Sequence, residues 1–79
     1  MIEDEIRRFI VEELNGPPEG LTNDFPLIER SVLDSLGLFQ LVTFLESEYG
    51  IQIDDEELVP EHFGTLGDIA RLVASKRVS

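Results

Sequence analysis

This sequence predicts an all-α fold, a small four-helix bundle of three main helices plus one short helix, with a long loop between helices 1 and 2. Three observations carry that expectation. Apolar residues recur at three- and four-residue spacing in three separate stretches, the mark of amphipathic helices. Clusters of Gly, Pro, Asn and Asp separate those stretches. The one alternating run, Ile51-Gln52-Ile53, has no partner strand and reads as an extended connector rather than part of a sheet. At 79 residues the chain is expected to form one domain over 1–79.

The elements follow in order. Ile2, Ile6, Phe9, Ile10 and Leu14 make the apolar stripe of the first helix. Glu3, Asp4 and Glu5 lie in its first turn, where the helix dipole favours acid. Gly16, Pro17 and Pro18 are expected to stop it. The stretch from Gly16 to Leu33 keeps no period and is rich in turn formers, so it is a long connection of the kind that is often functional. Leu21, Phe25, Leu27, Ile28, Val32 and Leu33 are expected to pin it to the core.

The second helix is expected over Ser35 to Tyr49, ended by Gly50. At 3.6 residues per turn Leu38, Leu41, Val42, Leu45 and Tyr49 share its inward face. Leu36, Gln40, Thr43 and Ser47 lie opposite, with Phe39 and Phe44 on the flanks. Asp54 and Glu57 form an acidic capping pattern for a short turn of helix, which Pro60 closes. His62 is then expected in a turn. The last helix starts at Thr65, with Asp68 as its capping partner. Leu66, Ile69, Ala70 and Val73 form its buried stripe, and Arg71, Lys76 and Arg77 lie toward its C-terminal end.

Charge and composition exclude several functions. With 17 acidic and 6 basic residues the net charge is −11, which repels nucleic acid and anionic membranes and favours partners with basic docking patches. There is no Cys, so neither a disulfide framework nor a thiolate metal site is available; with one His, no metal site is expected. The N-terminus carries acid where a signal peptide carries base, and no long apolar run follows. A soluble, cytoplasmic monomer is expected. No catalytic residues are assigned. A lone His62, no glycine-rich elbow and no phosphate loop argue against an enzyme.

The distinctive tripeptide is Asp34-Ser35-Leu36. Ser35 sits where irregular chain gives way to helix, with its hydroxyl toward solvent. A helix N-terminus carries unpaired N–H groups and partial positive charge, which suit an anion such as a phosphodiester. Asp34 is placed as the N-cap. Leu36 is an apolar residue on the solvent side, and with Phe39 it offers a small docking contact beside the serine.

Taken together, Val32-Leu33-Asp34-Ser35-Leu36, Leu41-Val42, Leu45-Glu46 and Tyr49-Gly50-Ile51-Gln52-Ile53 resemble the carrier-protein family of acyl and peptidyl carrier proteins, over about Ile2 to Val73. The resemblance implies that a phosphopantetheinyl transferase moves 4′-phosphopantetheine from coenzyme A onto Ser35, and that acyl groups ride on its thiol as thioesters. Asp34 and Leu36 would flank that attachment. An acyl-loading ligase or acyltransferase and synthase or modifying enzymes would be the other partners. Docking is expected through Leu36, Phe39, Gln40, Glu46, Asp54, Asp55, Glu56 and Glu57. An opened core could shelter an acyl chain among Phe9, Leu38, Leu41, Val42, Leu45 and Ile69. Fatty-acid carriers place acids along the exposed side of the second helix, where this chain has Gly37, Gln40 and Ser47. The segments Phe25-Pro26-Leu27-Ile28-Glu29 and Glu57 to Phe63 are similar to freestanding carriers of bacterial specialised metabolism, which implies polyketide or related biosynthesis. A D-alanyl or peptidyl (aminoacyl) carrier is one alternative, and an acidic helical interaction module without a prosthetic group is another.

Overall fold

The structure, a computed structural model, describes residues 2–17 and 19–77. Four α-helices follow in order: α1 (Ile2–Glu13), α2 (Ser35–Tyr49), α3 (Pro60–Phe63) and α4 (Leu66–Arg77), with a 3₁₀ turn at Asp55–Glu57 before α3. No strand occurs among the described residues, and Ile51–Ile53 is an extended connector. The all-α bundle expected from the sequence is the observed fold.

Helix α1 buries Ile6 and Ile10 completely. Its end differs from expectation. The residue that turns left-handed is Asn15, with φ 57°, and Gly16 follows it. The Ile10 carbonyl accepts from both Leu14 N–H (3.1 Å) and Gly16 N–H (2.9 Å), so the last turn closes on itself. Gly16 is needed for space instead: a Cβ there would lie 2.6 Å from Ile10 Cγ2. Pro17 lies beyond the helix, and Pro18, the last residue of the expected stop, lies outside the described residues.

The long connection is stitched down at several points. Leu27 is fully buried and donates its N–H to the Gly64 carbonyl at 2.8 Å. Its own carbonyl accepts from Val32 and Leu33 (2.9 and 3.1 Å). Asn23 carbonyl accepts from Gly67 N–H at 2.9 Å. Arg7 on α1 reaches across to Leu21 carbonyl (2.8 Å) and Asn23 Oδ1 (2.7 Å). Leu21 and Leu33 are buried, and Phe25 and Val32 half-buried. Ile28, expected as a further pin, is instead exposed. The tight turn explains this: Arg30 N–H bonds Pro26 carbonyl and Ser31 N–H bonds Ile28 carbonyl, both at 3.0 Å, so Leu27 and its neighbour face opposite ways. Ser31, at φ 60°, ends that turn.

Helix α2 has Asp34 as its N-cap, extended at φ −96°, ψ −173°, and its carboxylate accepts from Gly37 N–H at 2.7 Å. Gly50, at φ 64°, closes the other end by donating to Glu46 carbonyl at 3.0 Å. The deepest line of the helix is Gly37–Leu41–Leu45, with Leu38, Val42 and Tyr49 half-buried at its side. Gly37 therefore does not stand on the exposed side, where the sequence pattern placed it. A Cβ there would come within 3.1 Å of Asp34 Oδ1 and 3.6 Å of Leu14 Cδ1. Phe44 stacks on Phe9 with centroids 4.4 Å apart, joining α2 to α1. At the far end Tyr49 donates its hydroxyl to Glu5 of α1, and Arg77 of α4 lies 5.4 Å from its ring centre. Burial, reinforced by the Glu5 bond, pushes the Tyr49 hydroxyl well above its usual pKa.

Beyond α2, Ile53 is buried and its N–H bonds the Glu46 carboxylate at 2.9 Å. Glu57 Oε1 accepts from Asp54 N–H (3.0 Å) and pairs with Lys76 Nζ (2.7 Å). The Lys76 hydrogen bond, with that from Asp54, holds the Glu57 carboxyl below the usual glutamate range. Pro60 does not close the short turn. It opens α3, because proline needs no N–H donor in a first helical turn. His62 accordingly lies on a short helix rather than in a turn, next to the fully buried Phe63. Thr65 Oγ1 accepts from Asp68 N–H at 3.1 Å at the start of α4. Helix α4 buries Leu66, Ile69, Ala70, Leu72 and Val73, a wider stripe than expected because α1, α2 and α3 all pack against it.

These contacts set measurable stabilities. Leu27→Ala should lower unfolding stability by about 2–5 kcal/mol in urea titrations, whereas Ile28→Ser next to it should stay within about 0.5 kcal/mol. Asp34→Ala should cost about 1 kcal/mol through the lost cap, read the same way. Because the Glu57 pKa is depressed on folding, its contribution is present above the ordinary glutamate pKa and is lost as pH falls through its lower folded value. Glu57→Gln should therefore lose less stability than the parent when the urea midpoint is followed from neutral pH down through that acid window.

Candidate functional site

Ser35 is the first residue of α2 and is exposed. Its place follows from what precedes it. Leu27 and Leu33 anchor the incoming loop, and Asp34 turns the chain into the helix through its bond to Gly37 N–H. The hydroxyl thus stands at the positive end of a 15-residue helix, beside an acid that already takes one of the terminal N–H groups. Among the other described serines, Ser31 lies in the loop turn, Ser47 lies within α2, and Ser75 gives its hydroxyl to Leu72 carbonyl at 2.8 Å.

Apart from Asp34, the α2 surface next to Ser35 is apolar or uncharged. Leu36 is 66% exposed and Phe39 70%, with Gln40 exposed beside them. A pocket of about 400 Å³ opens next to the serine, lined by Ile28, Ser31, Leu33, Asp34, Ser35 and Leu38. A second groove of about 550 Å³ runs between α1 and α2 over Phe9, Phe39 and Phe44, with Glu13 and Glu48 at its edge.

The residues expected to dock partners fall into two groups. Leu36, Phe39 and Gln40 share the N-terminal half of α2. Asp54, Asp55 and Glu56 form an exposed acidic group past the other end, about 20 Å along the helix at 1.5 Å per residue. Glu46 and Glu57 belong to neither. Glu46 is half-buried and its carboxylate holds Ile53 N–H, while Glu57 is engaged by Lys76 and Asp54.

The six residues expected to shelter an acyl chain lie in different surroundings. Leu41, Leu45 and Ile69 are fully buried in the common core. Val42 is half-buried, Phe9 stacks on Phe44 at the surface groove, and Leu38 lines the pocket at Ser35.

Sequence reasoning missed Ile28 and Ser31 as neighbours of the serine. The signal lay in Leu27-Ile28: two adjacent apolar residues in a turn-rich segment cannot both face one core. Among the described residues there is no cluster of acidic or His side chains suited to a metal, and no helix is long and apolar enough to cross a membrane. An exposed hydroxyl at a helix N-terminus, next to an apolar pocket, fits a serine-linked phosphodiester that continues into a partly apolar arm.

Comparison with known proteins agrees. A family model described as phosphopantetheine attachment site matches residues 4–73. An acyl carrier protein of Wolinella succinogenes is 36% identical over 74 residues, covering 94% of this chain and 95% of the relative. The probable acyl carrier protein PigG of a Serratia species is 34% identical over 68 residues, covering 86% and 78%. The solved structure titled KstB-PCP(apo) superimposes with a TM-score of 0.72 at 36% identity, covering 92% of this chain and 85% of that one. The chain therefore belongs to the carrier-protein family defined by a phosphopantetheine attachment site: it is an acyl carrier protein rather than an enzyme, and its cofactor is a covalently held 4′-phosphopantetheine.

Proposed function

We propose that Ser35 is the attachment residue and that the protein presents acyl intermediates of a specialised biosynthetic pathway, polyketide assembly among them, to partner enzymes in the cytoplasm as a monomer. The observation that carries this reading is the exposed Ser35 hydroxyl at the head of α2, inside the matched region. When bound, the cofactor supplies a thiol that holds acyl groups as thioesters. The chain's own residues do the rest. Asp34 fixes the first turn of α2 and so the place of Ser35 at its head. Leu36, Phe39 and Gln40 give a phosphopantetheinyl transferase, a loading ligase or acyltransferase, and later synthases or modifying enzymes a largely apolar face beside the serine. Asp54, Asp55 and Glu56 add an acidic edge for basic patches on those enzymes. The likeness to PigG supports a specialised pathway. The likeness to KstB-PCP(apo) favours a second reading, in which the cargo is an aminoacyl or peptidyl group.

Incubation with coenzyme A and a broad-specificity transferase, followed by intact mass, tests the assignment. The parent should gain one phosphopantetheinyl group and Ser35→Ala none, with the variant's urea stability within about 0.5 kcal/mol of the parent. No gain by folded parent, or equal gain by Ser35→Ala, would overturn it.

A further inference from the structure

The pocket at Ser35 has a composition that the attachment chemistry alone does not require. Its apolar lining is Ile28, Leu33 and Leu38. All three were expected against the core by their apolar character, yet only Leu33 is buried, with Ile28 37% exposed and Leu38 half-buried. Its polar lining is Ser31, Asp34 and Ser35. The shape is fixed by backbone bonds: Ser31 N–H to Ile28 carbonyl at 3.0 Å, and Val32 and Leu33 N–H to Leu27 carbonyl at 2.9 and 3.1 Å. These bonds hold the loop side of an open hollow of about 400 Å³ against α2.

We propose that this pocket is the resting site of the pantoyl segment of the arm, an inference that rests on Ser35 being the attachment residue. Beyond its phosphate, a phosphopantetheine chain presents in turn a quaternary carbon with two methyl groups, a hydroxyl and an amide. The pocket offers matching partners at its tether point: the Ile28, Leu33 and Leu38 side chains for the methyl groups, and the Ser31 hydroxyl for the polar groups that follow. Ser35 itself lines the pocket, so the ligand is attached to the wall of its own site. Tethering makes the contact intramolecular, with a high effective concentration, and a modest apolar surface is enough to hold it. The outer part of the arm and its thiol stay outside, free to be taken by a partner enzyme.

The test uses the full chain loaded from coenzyme A labelled with ¹³C in the geminal methyl groups. Intact mass first establishes that the arm is on. Nuclear Overhauser contacts are then measured between those methyls and the side-chain methyls of Ile28 and Leu38. Contacts to both are expected in the parent. Loaded Ile28→Ser, a change at an exposed position, should lose the contacts to Leu38 as well. Loaded Thr43→Ala, a change at an exposed position of α2 outside the pocket, should keep them. A loaded parent without these contacts overturns the resting site while leaving the attachment at Ser35 intact, and so does undiminished contact with Leu38 in Ile28→Ser. A parent that gains no mass removes the ligand altogether and overturns both readings, a failure visible before any contact is measured.

Discussion

The position of Ser35 depends on how Leu27 is held. A chain this small must carry a connection of about twenty residues between its first two helices, and backbone left loose over that length would let the serine wander. Leu27 prevents this with one side chain and two backbone groups. Its side chain fills the core, its N–H ties the loop to Gly64 after α3, and its carbonyl gathers Val32 and Leu33. Those residues lead directly into Asp34. The site is thus set by contacts seven and eight residues upstream, on the far side of a turn.

Gly64 completes that arrangement from the other side. Its carbonyl receives the Leu27 N–H, and a Cβ at Gly64 would sit 2.7 Å from Pro60 carbonyl. The short helix α3 is only one turn long, yet it buries Phe63 and presents the carbonyl on which the loop hangs. Helix α4 underlies everything, touching all three other helices. Leu41, Leu45 and Ile69 are fully buried in the common core. Apolar residues line open volume at the surface by Ser35.

Much of this was legible in the residues. The stripes of α1, α2 and α4 show in their period, because a helix buried on one side repeats its apolar residues every three or four positions. Asp34, Gly50 and Thr65 showed as caps because few residue types satisfy helix ends. What stayed hidden has physical reasons. Gly37 carries no side chain to signal burial, although it lies on the deepest line of α2. Asn15 rather than Gly16 takes the left-handed turn, since asparagine tolerates that backbone and the glycine is required for clearance from Ile10. Pro60 can end one element or begin another, and the choice depends on Phe63 finding the core. Ile28 was misplaced because a local turn, in which its carbonyl accepts from Ser31 N–H, turns it away from Leu27, and the bond from Ile53 N–H to the Glu46 carboxylate had no signal in the sequence.

The charge distribution along α2 bears on how partners come and go. Between Asp34 and Glu46 the chain has no charged residue, although its net charge is −11. On the docking proposed above, the field that draws a basic enzyme arises mostly elsewhere on the molecule, and Asp34 is the one charge beside Ser35 on an otherwise uncharged α2 face. Long-range attraction fades within about 10 Å at moderate salt, but apolar contact does not. Ionic strength should then govern how often carrier and enzyme meet, and hardly how long they stay together, so crowded ionic conditions would thin the visits without shortening them.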